Sequence, residues 1–306
     1  MKKWHKASLW VMFAAICLGV AVVIGISVYV GWNLTHPARV HVVQAAAAGS
    51  TRFEDVSFPS REDKITIRGW FLPAPASKKT IIFVHGINKN RLQEDVPAMP
   101  VAAGLNKAGY NILMFDLRNH GESGGSLTSV GQYEVRDLLG AVDYIKSRGQ
   151  AGEHIGVMAW SMGAATALNS LPQKPPFEAV VADSSFADLK PYLYEQMSVW
   201  TELPDVPFTY LIMNLLPPLT GVDPDQVRPI AGVAGSELPI LFIHGDADTA
   251  INYKNSQALM KAARNKGSSL WVVHGAEHVK SYSVRPTEYL ARVNAFFGRY
   301  LADGGN

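Results

Sequence analysis

From Arg52 onward the chain repeats one pattern: a short run of apolar and β-branched residues ends in a polar or glycine turn, and a helical pattern usually follows. Runs that are apolar throughout are typical of parallel strands covered on both faces. Strands that alternate with helices predict right-handed β-α-β units and an open, mostly parallel sheet. The predicted strands are FEDVSF, ITIRGWFLPA, TIIFVHG, YNILMFD, HIGVMAW, EAVVADS, LPILFIHG and SLWVVHG.

Helical patterns fill most of the intervals between these runs, which indicates the α/β class. The first two strands have no helix between them, so we expect them to form an antiparallel edge of the sheet. The predicted helices cover residues 101–108, 133–147, 162–170, 252–266 and 287–301.

Residues 186–237 interrupt the alternation, because they separate two strands by far more chain than a plain connection needs. The interval contains YLYEQMSVW and FTYLIMNLL, rich in aromatic residues and Met, and it is punctuated by prolines. We expect a helical cap inserted over one end of the sheet. The alternative is an enlarged crossover helix with no such role.

The N-terminal segment is apolar and carries no Asp, Glu, Lys or Arg from Ala7 to Ala38. Its most apolar part, residues 9–30, would span about 30 Å as a helix, the thickness of the hydrocarbon layer of a membrane. We therefore expect an uncleaved transmembrane anchor over residues 7–32. A core helix is one alternative, and a signal peptide cleaved near residues 45–48, which would release a secreted protein, is the other.

The distribution of charged residues predicts the orientation of the anchor in the membrane and argues against nucleic acid as a partner. Lys2, Lys3 and Lys6 precede the anchor and only Arg39 closely follows it, which predicts a cytoplasmic N-terminus and an extracytoplasmic body. The three lysines account for the net charge of +2, since the other 25 Lys and Arg face 26 acidic residues. The chain therefore lacks the basic surface of a nucleic-acid-binding protein. The only cysteine, Cys17, excludes a disulfide scaffold.

One predicted strand ends in a serine where the next helix begins, in IGVMAWSMGAATAL (residues 155–168). The residues two before and two after Ser161 are the small Ala159 and Gly163. This pattern resembles the nucleophile elbow of the α/β-hydrolase superfamily, usually Gly-x-Ser-x-Gly, with alanine in place of the first glycine. The resemblance implies the α/β-hydrolase fold, with Ser161 as nucleophile. A serine that only caps the helix is the alternative.

In the superfamily the acid and the histidine follow the serine along the chain. Asp248, after the strand LPILFIHG, occupies the position at which relatives commonly carry the acid. Asp246 in the same turn and Asp183 at the end of EAVVADS are alternatives. The resemblance therefore implies Asp248 as the triad acid.

Two histidines follow this acid, His274 and His278. His274 precedes a glycine at the end of a strand, as His85 and His244 do, which indicates a turn residue. His278 lies beyond the last strand and resembles the C-terminal catalytic histidine of the superfamily. We therefore assign His278 as the general base.

The resemblance also implies an oxyanion hole made of two backbone N–H groups, those of Met162 and Ile87. Trp160, beside the serine, is a candidate for the lining of an apolar acyl pocket, although aromatic residues near the cap can equally form its core. The stretch FDLRNHGESGG resembles a structural segment of the superfamily, in which we expect Asp116 and Arg118 to tie loops together.

The resemblance extends over residues 53–301 and is closest to membrane-anchored bacterial hydrolases related to serine aminopeptidases and monoacylglycerol lipases. It implies a membrane-tethered serine hydrolase that cleaves carboxylic esters or related acyl bonds of a small, lipid-like substrate. It implies no cofactor and no metal, and no His-Glu-x-x-His or similar ligand spacing occurs. A peptidase, a thioesterase and a non-catalytic membrane-anchored scaffold are the alternatives.

These expectations divide the chain into five parts. The sequence predicts a cytoplasmic tail (1–6), an anchor (7–32), a linker (33–51), a hydrolase core (52–185 and 238–303) and the inserted cap (186–237).

Overall fold

The structure is a computed structural model, and it describes residues 2–43 and 52–301. Within these residues eight strands form one sheet in the order β1-β2-β4-β3-β5-β6-β7-β8. β1 pairs antiparallel with β2 and β2 with β4, whereas all other neighbours are parallel. The predicted α/β-hydrolase fold is therefore confirmed, with an antiparallel edge. The strands are β1 (Glu54–Pro59), β2 (Thr66–Leu72), β3 (Lys79–Val84), β4 (Asn111–Phe115), β5 (His154–Trp160), β6 (Ala179–Asp183), β7 (Ile240–Gly245) and β8 (Ser269–Val273).

Helices cover both faces of the sheet. Alternate side chains of a strand point to opposite faces, so Ile82 and Val84 pack into one core and Ile81 and Phe83 into the other. Helices α3, α4, α7 and α8 close the first core, and α2 and α10 close the second. The helices are α1 (Lys2–Thr35), α2 (Ala98–Lys107), α3 (Glu134–Ser147), α4 (Met162–Asn169), α5 (Leu189–Thr201), α6 (Tyr210–Thr220), α7 (Pro229–Ala234), α8 (Lys254–Ala262), α9 (Ser281–Val284) and α10 (Pro286–Tyr300).

Helix α8 ends four residues earlier than the sequence pattern predicts. Ala263 takes an extended conformation, with φ −64° and ψ 130°. Beyond it, the Asn265 side chain accepts a hydrogen bond from the Gly267 N–H and donates one to the Glu237 carbonyl. These local side-chain bonds offer the backbone an alternative to helix, so the chain turns toward β8.

The chain between β6 and β7 carries three helices with two different locations. Helices α5 and α6, joined by an irregular turn at Asp205–Thr209, stand over the carboxyl edge of the sheet. Helix α7 instead packs on α4, where a Cβ at Gly232 would lie 2.2 Å from the Leu168 carbonyl oxygen. Helices α5 and α6, together with Val222 and Pro224 just after them, therefore cover the site, while α7 belongs to the layer beneath it.

Helix α1 is long, apolar and mostly exposed. Its 34 residues give it a length of about 50 Å, and the stretch Trp4–Thr35 is long and apolar enough to cross a membrane. The last turns of the helix differ from the rest, because Ser27, Gly31 and Thr35 are buried there. A Cβ at Gly31 would lie 3.2 Å from Leu216, so this end of α1 packs closely against α6.

The chain after α1 lies on the hydrolase core instead of standing free. The Thr128 N–H donates to the Thr35 carbonyl, and the Arg39 guanidinium donates to the carbonyls of Ser123 and Gly125. The predicted linker thus begins on the surface of the domain. Its remainder, residues 44–51, lies outside the described residues.

Two buried ion pairs tie the loops beyond β3 and β4 to the core. Arg118 makes a bidentate pair with Asp137, at 2.8 and 3.0 Å, and also reaches Asp63. Arg91 pairs with Asp116 at 2.6 Å, and both side chains are almost fully buried. Burial raises the pKa of Asp137 to about 6, although Arg118 acts in the opposite direction. Each loop is therefore held in place by a buried ion pair, and loss of either partner would leave a buried charge unpaired.

Replacing Arg118 by Met should destabilise the protein strongly, because it leaves the Asp137 carboxyl buried without its partner. We expect a loss of about 3–5 kcal/mol. Folding raises the pKa of the Asp137 carboxyl above its value in the unfolded chain. Such a group stabilises the folded state at a pH below the pKa of the unfolded chain, and this stabilisation is lost as the pH rises through the pKa of the folded state. The loss should therefore be larger near pH 8 than near pH 5, as measured by urea unfolding in detergent.

The matched control is Lys190→Ala, which breaks the exposed pair between Lys190 and Asp225. Exposed pairs add little to stability, so this variant should unfold like the parent at both pH values. An equal loss from Arg118→Met at both pH values would contradict the role given to the Asp137 charge.

Candidate active site

Ser161 lies at a sharp turn between β5 and α4. Its backbone has φ 53° and ψ −122°, a conformation that non-glycine residues rarely adopt and that costs about 1–3 kcal/mol. The Ser161 N–H donates to the Asp183 carbonyl at 2.8 Å, which fixes the turn to β6. The side chain thereby lies at the carboxyl edge of the sheet, where ligands bind in open α/β folds, and it faces the cavity there.

The small residues around the serine have different roles. A Cβ at Gly163 would lie 2.3 Å from the Val84 carbonyl oxygen, so only glycine allows α4 to start this close to β3. Ala159, which replaces the usual first glycine, is fully buried in the core below the turn. Its methyl group is accommodated there, so this departure from the usual pattern does not disturb the turn.

Three side chains from distant parts of the chain meet at this turn. The Ser161 hydroxyl lies 2.9 Å from Nε2 of His278, and Nδ1 of the same ring lies 2.7 Å from Oδ2 of Asp248. The three residues follow β5, β7 and β8, whose carboxyl ends lie along one edge of the sheet. The structure thus brings together the serine, histidine and aspartate selected from the sequence.

Asp248 is held by four hydrogen bonds. Oδ1 accepts the N–H groups of Ala250 and Ile251, while Oδ2 lies within hydrogen-bond distance of His278 and of His244 Nε2. Burial raises the pKa of this carboxyl, but the hydrogen bonds from the two histidines outweigh it and lower the pKa to about 2. Asp248 is therefore ionised at neutral pH and can hold the imidazole in one orientation.

The two alternative acids have other partners. Asp246 accepts the Gly275 N–H and pairs with the exposed ring of His274, so it joins the turns after β7 and β8. Asp183 accepts the hydroxyl groups of Ser184 and Tyr289, and burial raises its pKa to about 6. Neither carboxylate is hydrogen-bonded to His278.

The loop after β3 approaches Ser161 closely, since a Cβ at Gly86 would lie 3.3 Å from the serine Cβ. Ile87 follows in this loop and lines the same cavity as the serine. Met162 is the first residue of α4, so its N–H has no acceptor within the helix. The two N–H groups selected from the sequence therefore belong to segments that flank the hydroxyl.

Two buried histidines hold this loop in place. Nε2 of His85 accepts the Leu117 N–H at 2.9 Å, and Nε2 of His120 accepts the Asn88 N–H at 3.2 Å. Burial lowers the pKa of both rings, that of His85 to about 3, so each is neutral and can accept a hydrogen bond. Their role is structural.

A cavity of about 470 Å³ lies above Ser161 and beneath the cap. Most of its lining is apolar, and the lining includes both Ser161 and His278. Within the part of the chain that the structure describes, no group of three or more His, Cys, Asp or Glu side chains is placed to hold a metal ion. Cap residues in the lining include Leu189, Tyr192, Leu193, Met197, Trp200, Ile212, Met213 and Leu216.

Trp160 does not line this cavity, which corrects the prediction made from the sequence. Successive strand residues point to opposite faces, and this side chain points into the core closed by α2 and α10. Its indole N–H donates to the Tyr289 hydroxyl at 3.1 Å, and its ring packs edge-on against Phe83. The residue therefore supports the turn from behind.

Two contributions to the site were missed in the sequence. His244, interpreted as a turn residue, lies 3.1 Å from Asp248, and no sequence signal distinguishes it from the other His-Gly turns. The end of α1, interpreted as anchor and linker, contributes Asn33, Leu34, Thr35 and Pro37 to the cavity. Here a signal existed, since small residues recur every four positions at 27, 31 and 35, a spacing typical of close helix packing.

Comparison with known proteins agrees with this geometry. The sequence pattern of the prolyl oligopeptidase family matches residues 99–304. The chain belongs to this family. The uncharacterized protein YqkD of Bacillus subtilis (strain 168) is 30% identical over 232 residues, which cover 75% of this chain and 74% of YqkD. The uncharacterized protein YfhR of Escherichia coli (strain K12) is 27% identical over 244 residues, 76% of this chain and 75% of YfhR.

Among solved structures, the esterase Pf2001 of Pyrococcus furiosus is similar at a TM-score of 0.72 and 29% identity, covering 88% of this chain and 98% of the esterase. The similarity confirms the predicted membership of the α/β-hydrolase superfamily. This chain is a serine hydrolase of the α/β-hydrolase fold.

Replacing Gly163 by Ala should damage the turn, because the added methyl group would collide with a backbone carbonyl that cannot move independently of β3. We expect a loss of about 1–3 kcal/mol in the free energy of unfolding. We also expect slower labelling of Ser161 by a fluorophosphonate. Thermal unfolding and labelling rate, measured on the same preparation, check both effects.

The control is Gly235→Ala at the end of α7, where the new Cβ would lie 3.4 Å from its nearest neighbour, an ordinary contact. This variant should match the parent in both measurements. Normal stability and labelling of Gly163→Ala would show that the close approach is not required.

Proposed function

We propose that this protein is a membrane-tethered serine esterase that uses Ser161, His278 and Asp248 as a catalytic triad and forms an acyl-enzyme intermediate. The observation that carries the proposal is the unbroken succession of hydrogen-bond distances from the hydroxyl through the imidazole to the carboxylate. This arrangement turns a weakly nucleophilic hydroxyl into a useful one, because the proton has an acceptor as the oxygen attacks.

In the first half of the reaction, the Ser161 oxygen attacks the ester carbonyl carbon while His278 Nε2 takes the hydroxyl proton. The carbonyl oxygen becomes an oxyanion, which the N–H groups of Met162 and Ile87 stabilise. The start of α4 adds the positive end of a helix dipole. When the tetrahedral intermediate collapses, His278 gives its proton to the leaving alkoxide, and the acyl group stays on the serine.

In the second half, water replaces the alcohol. His278 takes a proton from the water as its oxygen attacks the acyl carbon, then returns the proton to Ser161 as the carboxylic acid leaves. Asp248 remains ionised throughout and stabilises the imidazolium, consistent with its low pKa.

Esters are favoured as substrates for two reasons. The cavity beside the serine is apolar, which suits an acyl chain, and the Pyrococcus furiosus relative is an esterase. The family match favours a second candidate, a peptidase. Hydrolysis of p-nitrophenyl esters compared with peptidyl p-nitroanilides distinguishes them, and a faster anilide reaction would reverse the preference.

Helix α1 supports the membrane tether. Its length and apolar character suit a single span, and the three lysines before it, against Arg39 alone soon after it, favour a cytoplasmic N-terminus and an extracytoplasmic hydrolase. Cleavage near residues 45–48 would detach the helix whose end lines the cavity. That contact favours an anchor that stays attached over the secreted form.

Ser161→Ala should abolish both labelling by a fluorophosphonate and ester hydrolysis, because it removes the nucleophile. His278→Ala should reduce turnover by several orders of magnitude with little loss of stability, since the side chain is partly exposed. Its matched control is His274→Ala, which alters an exposed turn and should keep near-normal activity. Absence of labelling in well-folded parent protein would favour a non-catalytic scaffold.

Asp248→Asn should lower kcat by about 10⁴-fold, because the amide no longer fixes the required tautomer of the histidine. Asp246→Asn, two residues earlier, should cost little activity because that carboxylate faces His274 and Gly275. Steady-state hydrolysis of a p-nitrophenyl ester provides both values. Similar losses in the two variants would contradict the assignment of the acid.

A further inference from the structure

The membrane-side helix is part of the cavity wall. Asn33, Leu34, Thr35 and Pro37, at the end of α1 and just beyond it, line the cavity that contains Ser161 and His278. Cap residues such as Trp200 and Leu216 line the same cavity. The cavity therefore lies between the end of the proposed anchor and the cap.

The contact between α1 and the cap is closely packed. Ser27, Gly31 and Thr35 are buried at four-residue spacing on one face of α1. A Cβ at Gly31 would lie 3.2 Å from the Leu216 side chain and 3.4 Å from that of Ile212, so side chains of α6 lie directly against the backbone of α1. Small residues at this spacing are what close helix packing in membranes requires.

The length of the apolar helix determines how far the cavity lies from the hydrocarbon layer of the membrane. Residues 9–30 account for about 30 Å, the hydrocarbon thickness. In the proposed membrane orientation residues 33–37 follow at the outer interface, and Trp32 there stacks on His36 with ring centroids 3.9 Å apart. Aromatic side chains of this kind are typical of the interface.

The cap adds an exposed apolar surface beside the same end of α1. Trp200, Val206, Tyr210 and Leu219 are 39–71% exposed, and they lie on α5, α6 and the turn between them. Helix α6, YLIMNLLPPLT, carries no charged residue. An exposed apolar patch next to a membrane span indicates contact with lipid.

The cavity also lacks charge. Among the residues that line it within the described ranges, none is Asp, Glu, Lys or Arg. A phosphate or carboxylate group on the substrate would find no cation there to pair with, and burial of an unpaired charge is strongly unfavourable. An uncharged ester fits this lining.

We propose that the cavity takes the acyl chain of an uncharged ester lipid directly from the outer leaflet, between the end of α1 and the cap helices, so that α1 serves as anchor and as a wall of the acyl site. This inference rests on the proposed esterase function. An acyl chain that passes from bilayer to cavity along this route stays in apolar surroundings, whereas one that crosses water must be exposed on the way.

The test uses the full chain in vesicles of ether-linked phosphatidylcholine, which the enzyme cannot cleave. The substrates are monooleoylglycerol in the bilayer and p-nitrophenyl acetate in water. Leu34→Trp fills the cavity wall, so it should lower the ratio of the two kcat/KM values, oleoyl ester to acetate, about tenfold or more.

The matched control is Leu18→Trp, on the exposed surface of the same helix, which should leave the ratio unchanged. Fluorophosphonate labelling of Leu34→Trp verifies that its site is assembled. An unchanged ratio in labelled Leu34→Trp would overturn the role of α1 as a wall.

A second measurement needs no variant. Adding ether lipid at constant total monooleoylglycerol dilutes the substrate in the bilayer, so the rate should fall in proportion to its surface fraction; a constant rate would mean delivery from water. Lysophosphatidic acid with the same acyl chain should react about tenfold or more slowly, and an equal rate would contradict the uncharged substrate.

Different results would contradict the lipid inference and the proposed esterase function. If the parent protein hydrolyses p-nitrophenyl acetate but shows neither acyl preference nor surface dilution, only the lipid inference falls. If it hydrolyses neither ester and resists the fluorophosphonate, the esterase itself is rejected.

Discussion

A serine held at φ 53° is stable only where neighbouring segments over-determine its conformation. Here β5 is paired on both sides, the Ser161 N–H is bound to the Asp183 carbonyl, and Gly163 lets α4 start against the Val84 carbonyl. The contacts that enforce this turn also direct the hydroxyl toward His278. The sheet and the segments packed on it thus hold one strained residue in a fixed conformation.

Much of this arrangement is visible in the sequence, because apolar runs of strand length report burial on both faces. The order of the strands along the chain then fixes which loops share an edge. Ser161, Asp248 and His278 could be selected because each follows a predicted strand at that edge, in the order that the superfamily uses. The choice of Asp248 over Asp246 needed the resemblance, since two acids in one turn are chemically equivalent until their partners are known.

Other features could not be predicted, and each for a physical reason. The direction of the Trp160 side chain depends on which helices pack against each face of β5. The composition of the strand does not indicate this, because both of its faces are buried. His244 acts on Asp248 through a contact formed only by folding. The end of α1 was interpreted by its apolarity alone, although the residues at 27, 31 and 35 already indicated that this face has a partner.

The link from Trp160 through Tyr289 to Asp183 joins the serine turn to α10, although Trp160 and Tyr289 are 129 residues apart in the sequence. His278 likewise lies 117 residues beyond the serine that it contacts. The hydroxyl of Ser161 therefore gains its imidazole neighbour only when segments far apart in the chain have packed on the same edge of the sheet.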